Sequence, residues 1–178
     1  MKYVLLSLSL ITAALVLFVS CASTPEPEAG EKEEIGPEIM GVWEIEKIEI
    51  LGGPEEGTII PQAGILIFTE HYYSSVRDTA VNPRPLWKST SPSTAEMAES
   101  FTTFGADSGR YELNGSMVVF RPSVCEMPNM MSGGSVGFDY RLEEDTLTLL
   151  FKPDSLVIPG IKLAADLAEE RYTLKRLE

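Results

Sequence analysis

From Gly41 onward, apolar and polar residues mostly alternate with a period of two, the spacing of half-buried strands. "GVWEIEKIEIL" (41–51) alternates around Trp43 and Ile45, then Ile48 and Ile50 slip to the other phase, as a β-bulge allows. "GILIFT" (64–69) and "YYSSVRD" (72–78) follow. "GRYELNGSMVVFRP" (109–122) holds two strands about Asn114-Gly115, a type I′ hairpin signal. "VGFDYRLEEDTLTLLF" (136–151) holds two more about a turn near Glu143–Asp145, and "RYTLKRL" (171–177) is the last. The pattern therefore predicts an all-β domain of eight antiparallel strands with one or two short helices. Eight is the count at which an up-and-down sheet can close into a barrel and remove its edges.

Two segments depart from the β period. Ser93 and Glu96 form an S-x-x-E capping box, and Met97, Ala98, Phe101 and Phe104 follow at helical spacing. A helix is expected over 93–104, ended by Gly105 and packed on or across one barrel mouth. Pro159-Gly160 precedes a weaker helical stretch, "IKLAADLAEE", before the final strand.

Ahead of the alternating region stand two segments of another kind. Residues 1–20 carry one charge, Lys2, before an apolar run from Tyr3 to Val19, the composition of a secretory signal peptide. Residues 22–38 place six glutamates and three prolines in seventeen positions, too polar to offset the entropy of ordering. They are expected to be a flexible tether with a reach on the order of 20–25 Å. The organisation expected is thus leader 1–20, Cys21 and tether 21–38, and barrel 39–178.

The formal net charge is −13, and removing the leader with its single lysine brings it to −14. Such a chain has no electrostatic footprint for a phosphate backbone, which argues against nucleic acid as a partner. It is also repelled by anionic lipid, so charge does not lay the globular part on a membrane.

Two resemblances add to this reading. Phe18-Val19-Ser20-Cys21 resembles the lipobox of bacterial lipoproteins, with Phe18 standing where that family prefers leucine. The resemblance implies cleavage before Cys21, a thioether diacylglycerol on its sulfur and usually an acylated amino terminus. Two or three acyl chains, at about 0.8 kcal/mol per buried methylene, make such an anchor effectively irreversible. It implies a location outside the cytoplasm, and Ala22 after the cysteine implies the outer membrane in a diderm host. Cys125 would then have no intramolecular partner.

The second resemblance covers essentially all of 39–178. Gly41-x-Trp43, "GILIFTEHYYSSVR", Pro83-Arg84-Pro85, "SGRYELNG", "MPN" and "FDYRLEEDTLTL" occur in the order found in the bacterial lipocalin-like domain, a calycin-type barrel. It implies that Trp43 packs beneath an arginine of the last strand and plugs one barrel end, with Arg176 the best positional match and Arg171 the second.

Little in the chain carries chemistry by itself. His71 lies at a strand turn beside Glu70, and no nucleophile-elbow pattern accompanies it. One histidine and one remaining cysteine make a zinc site improbable. The acids at 143–145 read as a solvated hairpin turn. Cys125, Met127, Met130 and Met131 put four soft sulfur donors within seven residues, a set that suits Cu(I), yet methionines commonly fill gaps. No metal or cofactor is expected, and no catalytic residue is assigned.

The expected function is to hold a small, largely apolar molecule in the lumen. Phe68, Tyr73, Tyr111, Phe120, Phe138 and Tyr140 are candidate wall residues. Trp87, in "NPRPLWKS", either touches a ligand at the mouth or, the favoured reading, locks its loop to the barrel. Two rivals stand beside this. Eight-stranded barrels can be filled by their own side chains, leaving an interaction or structural lipoprotein, and an enzyme using lumenal polar residues is the third.

Overall fold

The computed structural model describes residues 37–178. Leader, Cys21 and most of the tether lie outside the described residues. Pro37–Ile39 form a single 3₁₀ turn that leads into nine strands and one α-helix. The strands are β1 (Gly41–Leu51), β2 (Gly57–Ile59), β3 (Ala63–Phe68), β4 (Tyr72–Asp78), β5 (Phe104–Asn114), β6 (Met117–Cys125), β7 (Ser135–Glu143), β8 (Thr146–Val157) and β9 (Glu169–Arg176). Each of β3 to β9 pairs antiparallel with the next, and β1 lies between β3 and β9, so eight strands close a barrel. β2 is a three-residue extra that extends the β3 side of β1, pairing with Ile48–Ile50. It lacks any alternation of its own, which is why the period-two reading passes over it.

The phase slip in the first strand is a register shift in the β1–β9 ladder between Ile45 and Lys47. It returns Ile48 to the interior beside Trp43 and Ile45, so an eleven-residue strand can bend round the barrel without losing its apolar face. A second shift, between Ser108 and Gly109 in the β5–β6 ladder, bends the sheet on its far side.

The β5–β6 hairpin differs in turn type from the sequence expectation. Asn114 pairs with Met117, so the two-residue loop is Gly115-Ser116, and of these only Gly115 has a positive φ, +60°. Glycine at the first loop position is the type II′ arrangement, not type I′. The β7–β8 turn falls where the acidic run placed it, with Glu144 at φ +51°. An L-residue there costs roughly 1–2 kcal/mol. Glu144 is exposed, so Glu144→Gly is expected to raise stability by about 1 kcal/mol, read as a higher urea midpoint at unchanged m-value.

Both helix expectations need correction. The capping box forms: Ser93 Oγ accepts from the Glu96 N–H at 3.2 Å, and Glu96 Oε2 accepts from the Ser93 N–H at 2.8 Å. The helix, α1, nevertheless spans only Thr94–Phe101, because Phe104 and Gly105 pair with Asp78 and Arg77 and begin β5. α1 buries none of its residues and lends none to the lumen. The "IKLAADLAEE" stretch forms no helix; Glu169 and Glu170 are drawn into the ladder against Leu51 and Ile50. Eight residues are then left, too few to sustain a helix without packing.

Candidate functional site

The two ends of the barrel are built differently. At the end where β1 begins and β9 finishes, Trp43 is 0 % exposed and donates its indole N–H to the Ile39 carbonyl at 2.9 Å. The Arg176 guanidinium lies over its ring, 4.1 Å from the centroid, a cation–π stack. Arg176 also donates to the carbonyls of Met40 at 2.7 Å and Glu38 at 2.6 Å. The last tether residues therefore dock onto the final strand. Arg171 does not share this role; it pairs with Glu49 at 3.6 Å.

Above the plug, β-strand alternation stacks an apolar layer. Phe68 meets Tyr111 edge-on at 5.0 Å, Tyr73 stacks on Phe120 at 4.0 Å, and Phe120 leans on Phe138 at 5.2 Å. The Tyr111 hydroxyl donates to the Thr69 carbonyl at 2.8 Å, so that phenol is satisfied within the wall. This half of the lumen is filled by its own side chains, with Val118, Leu147 and Leu174 fully buried among them.

The other half is hollow. A cavity of about 340 Å³ runs from Leu66, Phe120 and Leu149 in mid-barrel towards Met127, Met130 and Leu167 in the connections at the far end. That volume lies in the range of small-molecule sites, whose walls are apolar with a few placed polar groups. Here the polar groups are Ser75 and Arg77 on β4, Asp107 on β5, Glu126 after β6, and Glu170 and Tyr172 on β9. They face inward for the same reason that the aromatics do. Tyr73, Ser75 and Arg77 share one phase of β4, and Asp107, Gly109 and Tyr111 share one phase of β5.

One cation stands among three carboxylates. Arg77 Nη1 is 4.0 Å from Asp107 Oδ1. Burial works against its charge, but Tyr172, Asp107, Glu126 and Glu170 together hold the guanidinium above its ordinary pKa. Burial raises Asp107 above the usual carboxylate range, against the opposing pull of Tyr73 and Arg77. Glu126 accepts the Ala106 N–H at 2.8 Å, and Glu170 accepts from the Tyr172 hydroxyl. Tyr73 is 2 % exposed; its hydroxyl sits near Asp107, but the geometry falls short of a hydrogen bond and the group has no partner. Burial, then the charge of Asp107, holds that phenol far above its normal range.

Of the candidate wall residues, Phe120 and Phe138 line the cavity. Phe68, Tyr73 and Tyr111 belong to the packed layer, and Tyr140 packs half-buried against the core. Trp87 is 51 % exposed and outside the lumen, its indole N–H donating to Ser100 Oγ at 3.0 Å. Its neighbour Arg84 pairs with Asp78 at 2.7 Å and lies over the Phe104 ring, so this loop is fastened to β4, α1 and β5. His71 sits in the β3–β4 turn beside Glu70 at 3.6 Å, away from the cavity. Of the sulfur donors, Cys125, a half-buried free thiol, Met127 and buried Met130 line the cavity, while Met131 is exposed and outside its lining. Among the described residues, no group of three or more His, Cys, Asp or Glu could hold a metal ion.

The sequence reading missed the polar cluster. Its signal was phase: Arg77 falls two and four residues after Ser75 and Tyr73, and Asp107 falls four before Tyr111. A charged residue near a strand end is ordinarily solvated, so the phase passes unnoticed without knowledge of which face closes.

A closed up-and-down barrel, plugged by tryptophan under arginine at one end and hollow at the other, is a calycin-type barrel. The sequence model of the family described as a lipocalin-like domain matches residues 40–168, and the chain belongs to that family. No curated protein matches the sequence. Among solved structures, an uncharacterised protein from Bacteroides eggerthii DSM 20697, whose crystal structure extends to 2.60 Å, is similar at 9 % identity and a TM-score of 0.41. The similarity covers 77 % of this chain and 98 % of that one.

Proposed function

We propose that this lipocalin-like domain carries a small, largely apolar molecule in its lumen, held to a membrane of the cell envelope by acyl chains on Cys21. The observation that carries the binding reading is the 340 Å³ cavity in the half of the barrel opposite Trp43. A protein built only as a scaffold would gain stability by closing that space, since unfilled volume in a core costs roughly 24 cal/mol per Å³. The filled half supports the alternative, a structural or interaction lipoprotein, only as far as the aromatic layer; beyond it the lumen is open.

Native mass spectrometry of the full chain purified from its own host tests the carrier reading. A co-purifying mass lost on organic extraction is the expected result, and a uniformly unliganded chain counts against it. The anchor is tested separately: incorporation of labelled palmitate is expected in the wild-type chain and absent from Cys21→Ala.

A further inference from the structure

The polar end of the cavity has a hydrogen-bonding pattern that selects among ligand head groups. Among the described residues, the Arg77 guanidinium donates no hydrogen bond, and its closest charge is Asp107 at 4.0 Å. The Tyr73 hydroxyl is also without a partner beside that carboxylate, but it lies in the packed layer and does not line the cavity. Gly105 keeps the guanidinium in place: it faces Arg77 across the β4–β5 ladder, and a Cβ there would stand 2.8 Å from Arg77 Cζ. The cavity thus offers an unused donor (Arg77) and an unused acceptor (Asp107) at one spot.

We infer that the molecule carried here is an uncharged amphiphile whose apolar chain occupies the cavity and whose polar end is a hydroxyl set between Arg77 and Asp107. The inference rests on the carrier reading and narrows it. A hydroxyl donates one hydrogen bond and accepts two, so it can take from Arg77 while giving to Asp107. A carboxylate only accepts; to reach Arg77 it must also enter the field of Asp107, Glu126 and Glu170, which line the same cavity. An ammonium only donates; the three carboxylates attract it, but it leaves Arg77 unmet and stands beside that like charge. Either ion also surrenders its hydration on entering an apolar lumen, which a hydroxyl does at far lower cost.

The test uses the full chain in lipid nanodiscs, with empty nanodiscs as the blank for partition into lipid. The chain is equilibrated at pH 7 with an equimolar mixture of decan-1-ol, decanoate and decylammonium. It is then separated by gel filtration, and the retained ligands are extracted and quantified. The expected result is retention of the alcohol at least about tenfold above either ion, the factor that one unmet buried hydrogen-bonding group commands. The double variant Asp107→Asn, Glu170→Gln removes two of the three carboxylates and is expected to raise decanoate retention about tenfold, with the barrel's circular dichroism unchanged. If the double variant misfolds, the ranking in the wild-type chain decides alone. Decanoate or decylammonium retained as well as the alcohol overturns the hydroxyl assignment and leaves the carrier reading standing. Retention of none of the three above the blank overturns both.

Discussion

Replacing Trp43 with alanine is expected to destabilise the barrel by about 3–5 kcal/mol, the range for deleting a fully buried large aromatic side chain. The cost has three sources in the structure. The indole is 0 % exposed, so its removal opens a void at the bottom of the core. The Ile39 carbonyl loses its donor at 2.9 Å. Arg176 loses the ring beneath it and with it part of the reason for its fixed fork onto Met40 and Glu38. Against a total of about 5–15 kcal/mol for an ordinary domain, this removes a fifth or more of the stability. Urea titration followed by far-ultraviolet circular dichroism gives the value, since Trp87 still contributes to fluorescence. A change below 1 kcal/mol would mean that the plug does not close the core.

The second large effect is expected at Gly109. A Cβ built there would stand 2.1 Å from the Arg121 carbonyl oxygen and 2.8 Å from Pro122 Cα, both backbone atoms of the neighbouring strand. No side chain can swing aside to relieve this; the β5–β6 ladder itself must move. Gly109→Ala is therefore expected to cost at least the 1–3 kcal/mol typical of overpacking, measured as a fall in the urea midpoint. The collision falls at the register shift between Ser108 and Gly109. That shift pairs Ser108 with Val124 and Asp107 with Cys125, setting which residues beyond it face the cavity. The variant should accordingly expose Cys125, seen as faster maleimide labelling of that residue by peptide mapping. An unchanged labelling rate with an unchanged midpoint would show the bulge to be freely deformable.

Much of this architecture is readable in the residues because a half-buried strand writes its burial directly into sequence. Trp43 and Ile45, then Ile48 and Ile50, record not only a strand but the bulge within it. Ser93 and Glu96 mark the start of α1 because capping is a local matter. Its end is not local: Phe104 continues the helical spacing, but the open edge of β4 offers it and Gly105 a full ladder of hydrogen bonds. The same competition from a strand edge removes Glu169 and Glu170 from the stretch that resembles a second helix. The cavity was least legible. Phe120 and Phe138 line it while Phe68 and Tyr111 do not, although all four are inward aromatics. The difference is height along the barrel, which depends on the stagger of neighbouring strands and not on the phase within one.

The docking of Glu38 and Met40 onto Arg176 also fixes a direction. Residue 37 enters the barrel at the plugged end, and Glu178 finishes there too, its carbonyl accepting the Val42 N–H at 3.1 Å. The hollow half lies at the opposite end. The point where residue 37 enters and the hollow half are therefore separated by the length of the barrel, so either end can be altered without touching the other.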